Sequence, residues 1–305
     1  MAQAIEQPAK DAQTRNSALA AIRLLRPEQW LKNLLVLLPL LMSHRFAEAV
    51  LLWRGVFAAA AFSLVASAGY IWNDWMDRRA DALHARKQTR PLASGTVKGR
   101  QALALGLACL GCGFVIAWLV EPELAGVLAG YLAVSLLYST VLKRVALLDA
   151  LLLAGFYGVR VYAGHVATGI RLSQSLIGFC FAAFFSLAML KRYSELMLSD
   201  RGAVEGNRRS YRHEHREWMM VLGLASALMS VAVVAFYVEG EMAKGLYRHP
   251  HVLWLICPLL VCWFARAWVL AKRGMMIDDP LAFAMHDRTT WAMVAAMAVV
   301  WLSAL

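Results

Sequence analysis

The hydrophobic positions of this chain form long, nearly unbroken runs rather than short amphipathic stretches. Nine apolar segments follow one another at 28–43, 51–73, 101–120, 124–141, 146–168, 173–190, 218–238, 251–270 and 289–305. Most reach the roughly 20 apolar residues that a helix needs to cross about 30 Å of hydrocarbon. Runs this apolar show no single water-avoiding stripe, so the pattern predicts helices that meet lipid and one another. Polar residues gather in two long connections, 74–100 and 191–217, after the second and sixth segments. Four segments lie between them, the spacing of a weak internal duplication that would bring both loops over a central cavity, as repeats do in transporters. Residues 1–22 are expected as a disordered tail, with neither the apolar core nor the cleavage site of a signal peptide. Residues 23–305 are expected to form a single membrane domain.

Composition sharpens this. The chain is 60% hydrophobic and 17% charged, against about 25% charged for a soluble domain. The expected fold class is all-α and polytopic, with about nine transmembrane helices around a central cavity open to the cytoplasmic side and laterally to lipid. The net charge of +11 would suit nucleic acid, but its distribution points to the membrane. With the N-terminus inside, cytoplasmic segments hold 24 of the 31 Lys and Arg, and external loops hold five, namely Arg45, Arg54, Arg171, Lys244 and Arg248. Such asymmetry orients a multi-pass protein in the cytoplasmic (inner) membrane, and no nucleic-acid partner is expected. All five cysteines, Cys109, Cys112, Cys180, Cys257 and Cys262, fall in apolar segments. Cys109 and Cys112 have redox spacing without a βαβ context, so they read as small packing residues.

The candidate chemistry starts where the second segment ends, at Asn73-Asp74-Trp75-Met76-Asp77-Arg78-Arg79-Ala80-Asp81. On a helix, Asn73, Asp74, Asp77 and Asp81 share an arc of roughly 100°. Carboxylates crowded on one face repel unless a cation neutralises them, and hard oxygens suit Mg²⁺, which keeps positions for substrate phosphates. A solvated acidic helix end balanced by Arg78, Arg79 and Arg86 is the plainer alternative. Further on, Pro91 and Gly95 break any helix and set Lys87 and Arg90 on a turn where they could reach a phosphate. The second loop opens with Lys191-Arg192-Tyr193-Ser194-Glu195, supplying cations rather than a second acidic cluster.

Within the spans, Arg160 stands in a stretch with Gly155, Gly158 and Gly164. A guanidinium in hydrocarbon needs a polar partner, so Arg160 is expected to line the cavity and meet a phosphate or a carboxylate of the Asp-rich helix. His165 is expected near the external end. Near the first segment, Trp30 reads as an interfacial anchor, with Arg26, Lys32 and Asn33 at the cytoplasmic rim. Asp278, Asp279, Asp287 and Arg288 form a third charged cluster that ion pairing alone could explain.

These residues resemble a known family. Asn73-Asp74-x-x-Asp77-x-x-x-Asp81 resembles the first Asp-rich motif of the UbiA-type intramembrane prenyltransferases, and Tyr138 to Arg144 resembles their Tyr/Lys segment. Within that superfamily, Arg26-Pro27-x-Gln29-Trp30-x-Lys32-Asn33, Lys87-x-x-Arg90-Pro91, Lys191-Arg192-Tyr193-x-Glu195-Leu196 and Asp287-Arg288 are similar to decaprenyl-phosphate phosphoribosyltransferases. The resemblance covers nearly everything after residue 22 and implies an active site on the cytoplasmic side. It implies Mg²⁺-dependent transfer of phosphoribosyl from phosphoribosyl pyrophosphate to a polyprenyl phosphate drawn from the membrane lipids. Asn73, Asp74, Asp77 and Asp81 would hold the metal, and Lys87, Arg90, Lys191 and Arg192 would neutralise donor phosphates. Lys32, Asn33 or Arg160 would position the lipid phosphate, while Arg26, Tyr138, Lys143, Tyr193 and Glu195 would complete the binding set. An ordinary aromatic prenyltransferase would instead carry a second Asp-x-x-x-Asp after the sixth segment, which this chain lacks there. A transporter of anionic lipid is the remaining class, and carboxylates gathered at one membrane face rather than at the midplane count against it.

Overall fold

The computed structural model describes residues 19–83, 87–200, 211, 213–240, 245–276 and 280–305. Among these residues the protein is all-α, with no strand. After a 3₁₀ segment, Pro27–Leu37, the helices are α1 (Leu38–Met42), α2 (Ala49–Ala82), α3 (Gly99–Val120), α4 (Pro122–Thr140) and α5 (Leu148–Thr168). They continue as α6 (Gln174–Asp200), α7 (Arg216–Glu239), α8 (Ile256–Lys272), α9 (Pro280–His286) and α10 (Arg288–Ala304). Seven described stretches are long and apolar enough to cross a membrane: α2 to α5, Gln174–Leu198 in α6, α7, and Pro250–Lys272, where a 3₁₀ turn leads into α8. The chain is a multi-pass membrane protein.

The first and last of the nine expected segments are not among these seven. Residues 28–43 divide between the 3₁₀ segment and α1. Prolines at 27 and 39 each remove a backbone donor, and the buried positions Asn33, Val36 and Pro39 recur every third residue. That period suits a 3₁₀ helix, whose residues eclipse at i and i+3. At the other end, α10 has 17 residues. In contrast α2 has 34, about 51 Å at 1.5 Å per residue. It is longer than the hydrocarbon is thick, so its ends project from it.

Packing divides the chain into two compact units, Met1–Thr140 with Val159–Arg171, and Val141–Gly158 with Leu172–Leu305. In the first, α2 packs along α3 and α4. A Cβ on Gly113 of α3 would stand 2.8 Å from a Val65 methyl of α2, so only glycine permits this approach. Phe62 of α2 and Tyr131 of α4 lie 4.5 Å apart between ring centroids. Ala20 and Leu24 are buried against Ile71, Leu92, Val97 and Ala102, so ordered structure begins before residue 23, inside the expected tail. In the second unit α6, α7 and α8 pack together, and Gly223 of α7 leaves room for the Trp268 ring, which would lie 2.1 Å from a Cβ there.

Candidate active site

The Asp-rich segment is the last part of α2, and the helix continues unbroken through Ala82. The four side chains therefore share the expected face, in angular order 73, 77, 81, 74 about the axis. Their surroundings split that face in two. Asp74 and Asp81, on one side, are buried at 5% and 4% exposure, while Asp77 is exposed. Arg90 Nη1 donates to Asp74 Oδ1 at 3.1 Å and to Asp81 Oδ2 at 2.7 Å. Arg26 Nη2 reaches the same Asp74 Oδ1 at 2.7 Å, and Lys87 Nζ stands 3.8 Å from Asp81 Oδ1. Asp77 has no ion pair among the described residues. Asn73 donates its amide N–H to Ser139 Oγ at 3.0 Å, which leaves Oδ1 as the atom it can offer a cation.

Local structure puts these cations there. Arg26 has φ +51° and lies just before the 3₁₀ segment, and its guanidinium sits 5.2 Å from the Tyr70 ring centroid. Lys87 and Arg90 occupy the expected turn, closed by Arg90 N–H to Lys87 O at 3.0 Å and Ser94 N–H to Arg90 O at 2.8 Å. Gly95, with φ +75°, lets the chain reverse.

Whether Mg²⁺ fits can be judged from the donors. No group of three His, Cys, Asp or Glu stands in metal-holding geometry among the described residues. Nevertheless, Asp74 and Asp81 already converge on one cationic atom, Arg90 Nη1. Mg–O distances of about 2.0–2.1 Å require those two carboxylates to close further, and Asn73 Oδ1 and the exposed Asp77 lie on the same helix face. The oxygen set fits a hard divalent cation.

Arg160 departs from expectation. None of Asp74, Asp77 and Asp81 pairs with it. Its Nε donates to Asn33 Oδ1 at 2.8 Å, and Nη2 to Tyr131 Oη at 3.4 Å. Its guanidinium lies 4.8 Å from the Phe62 ring centroid. Asn33 in turn donates to Ser63 Oγ at 2.9 Å. This buried network joins α5 to the 3₁₀ segment, and Gly164 makes the approach possible: a Cβ there would lie 1.9 Å from Val36 O. A Cβ on Gly155 or Gly158 would meet nothing within 4 Å, so of the three glycines one serves close contact.

A family model described as the UbiA prenyltransferase family matches residues 34–275. The chain belongs to the UbiA prenyltransferase family. Its similarity to the uncharacterized protein y4nM of Sinorhizobium fredii is 35% identity over 288 residues, 92% of this chain and 55% of that protein. This UbiA-family chain thus spans about half the length of that relative. It is 33% identical over 233 residues to the decaprenyl-phosphate phosphoribosyltransferase of Mycobacterium tuberculosis, covering 74% of this chain and 76% of that one. The fold matches a UbiA homologue of Archaeoglobus fulgidus, solved with GPP and Mg²⁺, at TM-score 0.67 and 17% identity, over 92% and 99% of the two chains.

In the second unit of this UbiA-family protein, the last part of helix α6 holds a buried ion cluster. Arg192 is 1% exposed. Its Nη2 donates to Asp149 Oδ1 at 3.1 Å, its Nε to Asp149 Oδ2 at 2.5 Å, and its Nη1 to both Glu195 oxygens at 2.8 Å. A fork so committed holds helix α6 to the start of α5. Tyr193 is buried edge-on against Trp268 at 5.7 Å, whereas Lys191 is half-buried on the same helix. Lys32, Tyr138 and Lys143 are half-buried as well, Lys143 on the 3₁₀ turn Leu142–Arg144. Sequence reasoning missed Asp149, and the signal was there: a carboxylate inside an apolar segment needs a partner.

Asp287 resolves the third cluster. It pairs with both Nη atoms of Arg266 at 2.7 and 2.9 Å and caps α10 by accepting from Thr290 N at 2.7 Å. The Arg266 bond, aided by those from Thr290, holds its carboxyl down at about 2. Asp278 and Asp279, like His84 and Arg86, lie outside the described residues. Trp30 donates to Ser67 Oγ at 3.0 Å, which ties it to α2, and His165 Nδ1 meets Ile170 O at 2.5 Å.

Proposed function

We propose that this UbiA-family chain transfers phosphoribosyl from 5-phosphoribosyl 1-pyrophosphate to a polyprenyl phosphate and releases pyrophosphate. The observation that carries this reading is the segment Lys191-Arg192-Tyr193-x-Glu195 near the end of helix α6, with two cations and one acid where an aromatic prenyltransferase of the family would place a second acidic motif. Similarity to enzymes named decaprenyl-phosphate phosphoribosyltransferase, at 33% identity over 233 residues, supports it.

Mg²⁺ held by Asp74, Asp77 and Asp81 with Asn73 would supply Lewis-acid stabilisation of the departing pyrophosphate. Around it, Lys87 and Arg90 stand on one short turn and can meet pyrophosphate oxygens, Arg90 with a bidentate fork. Lys191 is the candidate for the ribose 5-phosphate, and Arg192 holds the helix that carries it. Lys32 is the candidate for the lipid phosphate, while Arg160 orients Asn33 and the first segment. The acceptor phosphate is ionised near neutral pH and needs no general base, so catalysis rests on positioning and electrostatics. The charge asymmetry of the loops supports a site on the cytoplasmic face of the inner membrane.

Washed membranes bearing the protein, given ribose-labelled donor and polyprenyl phosphate, test this. Label should enter the organic phase only with Mg²⁺ and acceptor together. Consumption of an aromatic acceptor and polyprenyl diphosphate, with no label in lipid, would establish the prenyltransferase class instead.

A further inference from the structure

One nitrogen, Arg90 Nη1, touches both buried carboxylates of α2, at 3.1 and 2.7 Å. It therefore occupies the point on which those oxygens converge, the point a divalent cation bound by both would need. Two buried carboxylates that converge on one point repel one another unless a cation joins them or one of them takes up a proton. Among the described residues, two other cations touch one carboxylate each, Arg26 on Asp74 and Lys87 on Asp81. Arg26 is also held against Tyr70, whereas Arg90 is 32% exposed on a short turn.

We propose that Arg90 is an exchangeable internal counter-cation: it bridges Asp74 and Asp81 until a divalent metal takes that position, and the displaced guanidinium then binds a donor phosphate. The inference rests on the metal reading above and adds a coupling to it. Metal binding frees the fork that the phosphate needs, and a phosphate that holds the fork leaves the carboxylates to the metal. Two ligands that each favour the displaced state must strengthen one another reciprocally. Lys87 would follow Arg90, because it shares the turn and faces Asp81.

Binding of Mn²⁺ to the purified full chain, read by electron paramagnetic resonance with and without pyrophosphate, tests this without turnover. For the wild type, pyrophosphate should tighten Mn²⁺ binding about tenfold or more, beyond the complexation that the two show in protein-free controls. Arg90→Gln should bind Mn²⁺ several-fold tighter than wild type when pyrophosphate is absent, and most of the coupling should vanish. Weaker or unchanged Mn²⁺ binding by Arg90→Gln would overturn the exchange while leaving the metal site and the proposed transfer standing. Failure of the wild type to bind Mn²⁺ at all would overturn both. Since Arg90→Gln could fold poorly, the wild type supplies a second measurement. Labelling of Arg90 by phenylglyoxal, followed by peptide mass, should rise when Mn²⁺ is added and fall again with pyrophosphate. Labelling that Mn²⁺ leaves unchanged or lowers counts against the proposal.

Discussion

Removing Asp149 alone should be more damaging than removing Asp149 and Arg192 together. Both side chains are sealed from solvent, at 0% and 1% exposure, and Asp149 takes two of the bonds that satisfy the guanidinium. Asp149→Ala leaves that charge with Glu195, which is 31% exposed. Breaking a buried pair by deleting one partner costs about 3–5 kcal/mol, and the surviving Glu195 contact argues for the lower end. At about 2–4 °C per kcal/mol, a loss of about 3 kcal/mol lowers Tm by about 6–12 °C. The double variant Asp149→Leu with Arg192→Met replaces the pair with apolar groups of similar size, and such replacements are neutral or stabilising. Unfolding can be followed in detergent with a thiol-reactive fluorophore, because Cys180 and Cys257 are buried thiols. A single variant that melts like the wild type, or a double variant that melts below the single, would refute the reasoning. Turnover by the double variant then tells whether Arg192 only holds α6 or also touches donor.

Asp77→Ala should fold like the wild type, since its carboxylate is exposed and has no ion pair among the described residues, yet lose at least about a hundredfold in kcat because one metal oxygen is gone; near-normal turnover would return the segment to a solvated helix end. Arg160→Lys should keep its charge but lose the Nε bond to Asn33 and the stacking on Phe62, with activity falling about tenfold or more while Arg160→Leu melts lower still. Full activity in Arg160→Lys would show that charge alone matters there. For Asp287 the sign follows from its depressed carboxyl, down from the ordinary 3.8 to about 2: its contribution is present above pH 3.8 and lost as pH falls through about 2. Acid melts between pH 4 and 2 should therefore weaken the wild type more than Asp287→Asn, and equal slopes would exclude that linkage.

How much the sequence disclosed depends on whether a feature was local. The shared face of Asn73, Asp74, Asp77 and Asp81 follows from helical period alone, and the turn carrying Lys87 and Arg90 follows from Pro91 and Gly95. The division of that face into a buried, arginine-bridged half and an open half does not, because it depends on Arg26 and Arg90 arriving from outside the helix. Arg160 was legible as a charge in need of a partner, but Asn33 and Tyr131 come from 127 and 29 residues away, and nothing local names them. Asp149 was legible as a carboxylate in an apolar segment that needs a partner, but Arg192 comes from 43 residues away and nothing local names it. Its burial against Arg192 is a tertiary fact. The 3₁₀ character of Pro27–Leu37 was overlooked because the segment is as apolar as a span; the three-residue spacing of its buried Asn33 and Val36 emerges only once burial is known.

The most direct test of the account sets both donor pairs in competition. Purified chain in nanodiscs would receive Mg²⁺, phosphoribosyl pyrophosphate and polyprenyl phosphate, together with polyprenyl diphosphate and 4-hydroxybenzoate. Mass spectrometry of the lipid fraction should find polyprenyl phosphate heavier by one phosphoribosyl group, pyrophosphate released in equal amount, and both lost on chelation of Mg²⁺. Prenylated 4-hydroxybenzoate as the sole product, with phosphoribosyl pyrophosphate untouched, would contradict it.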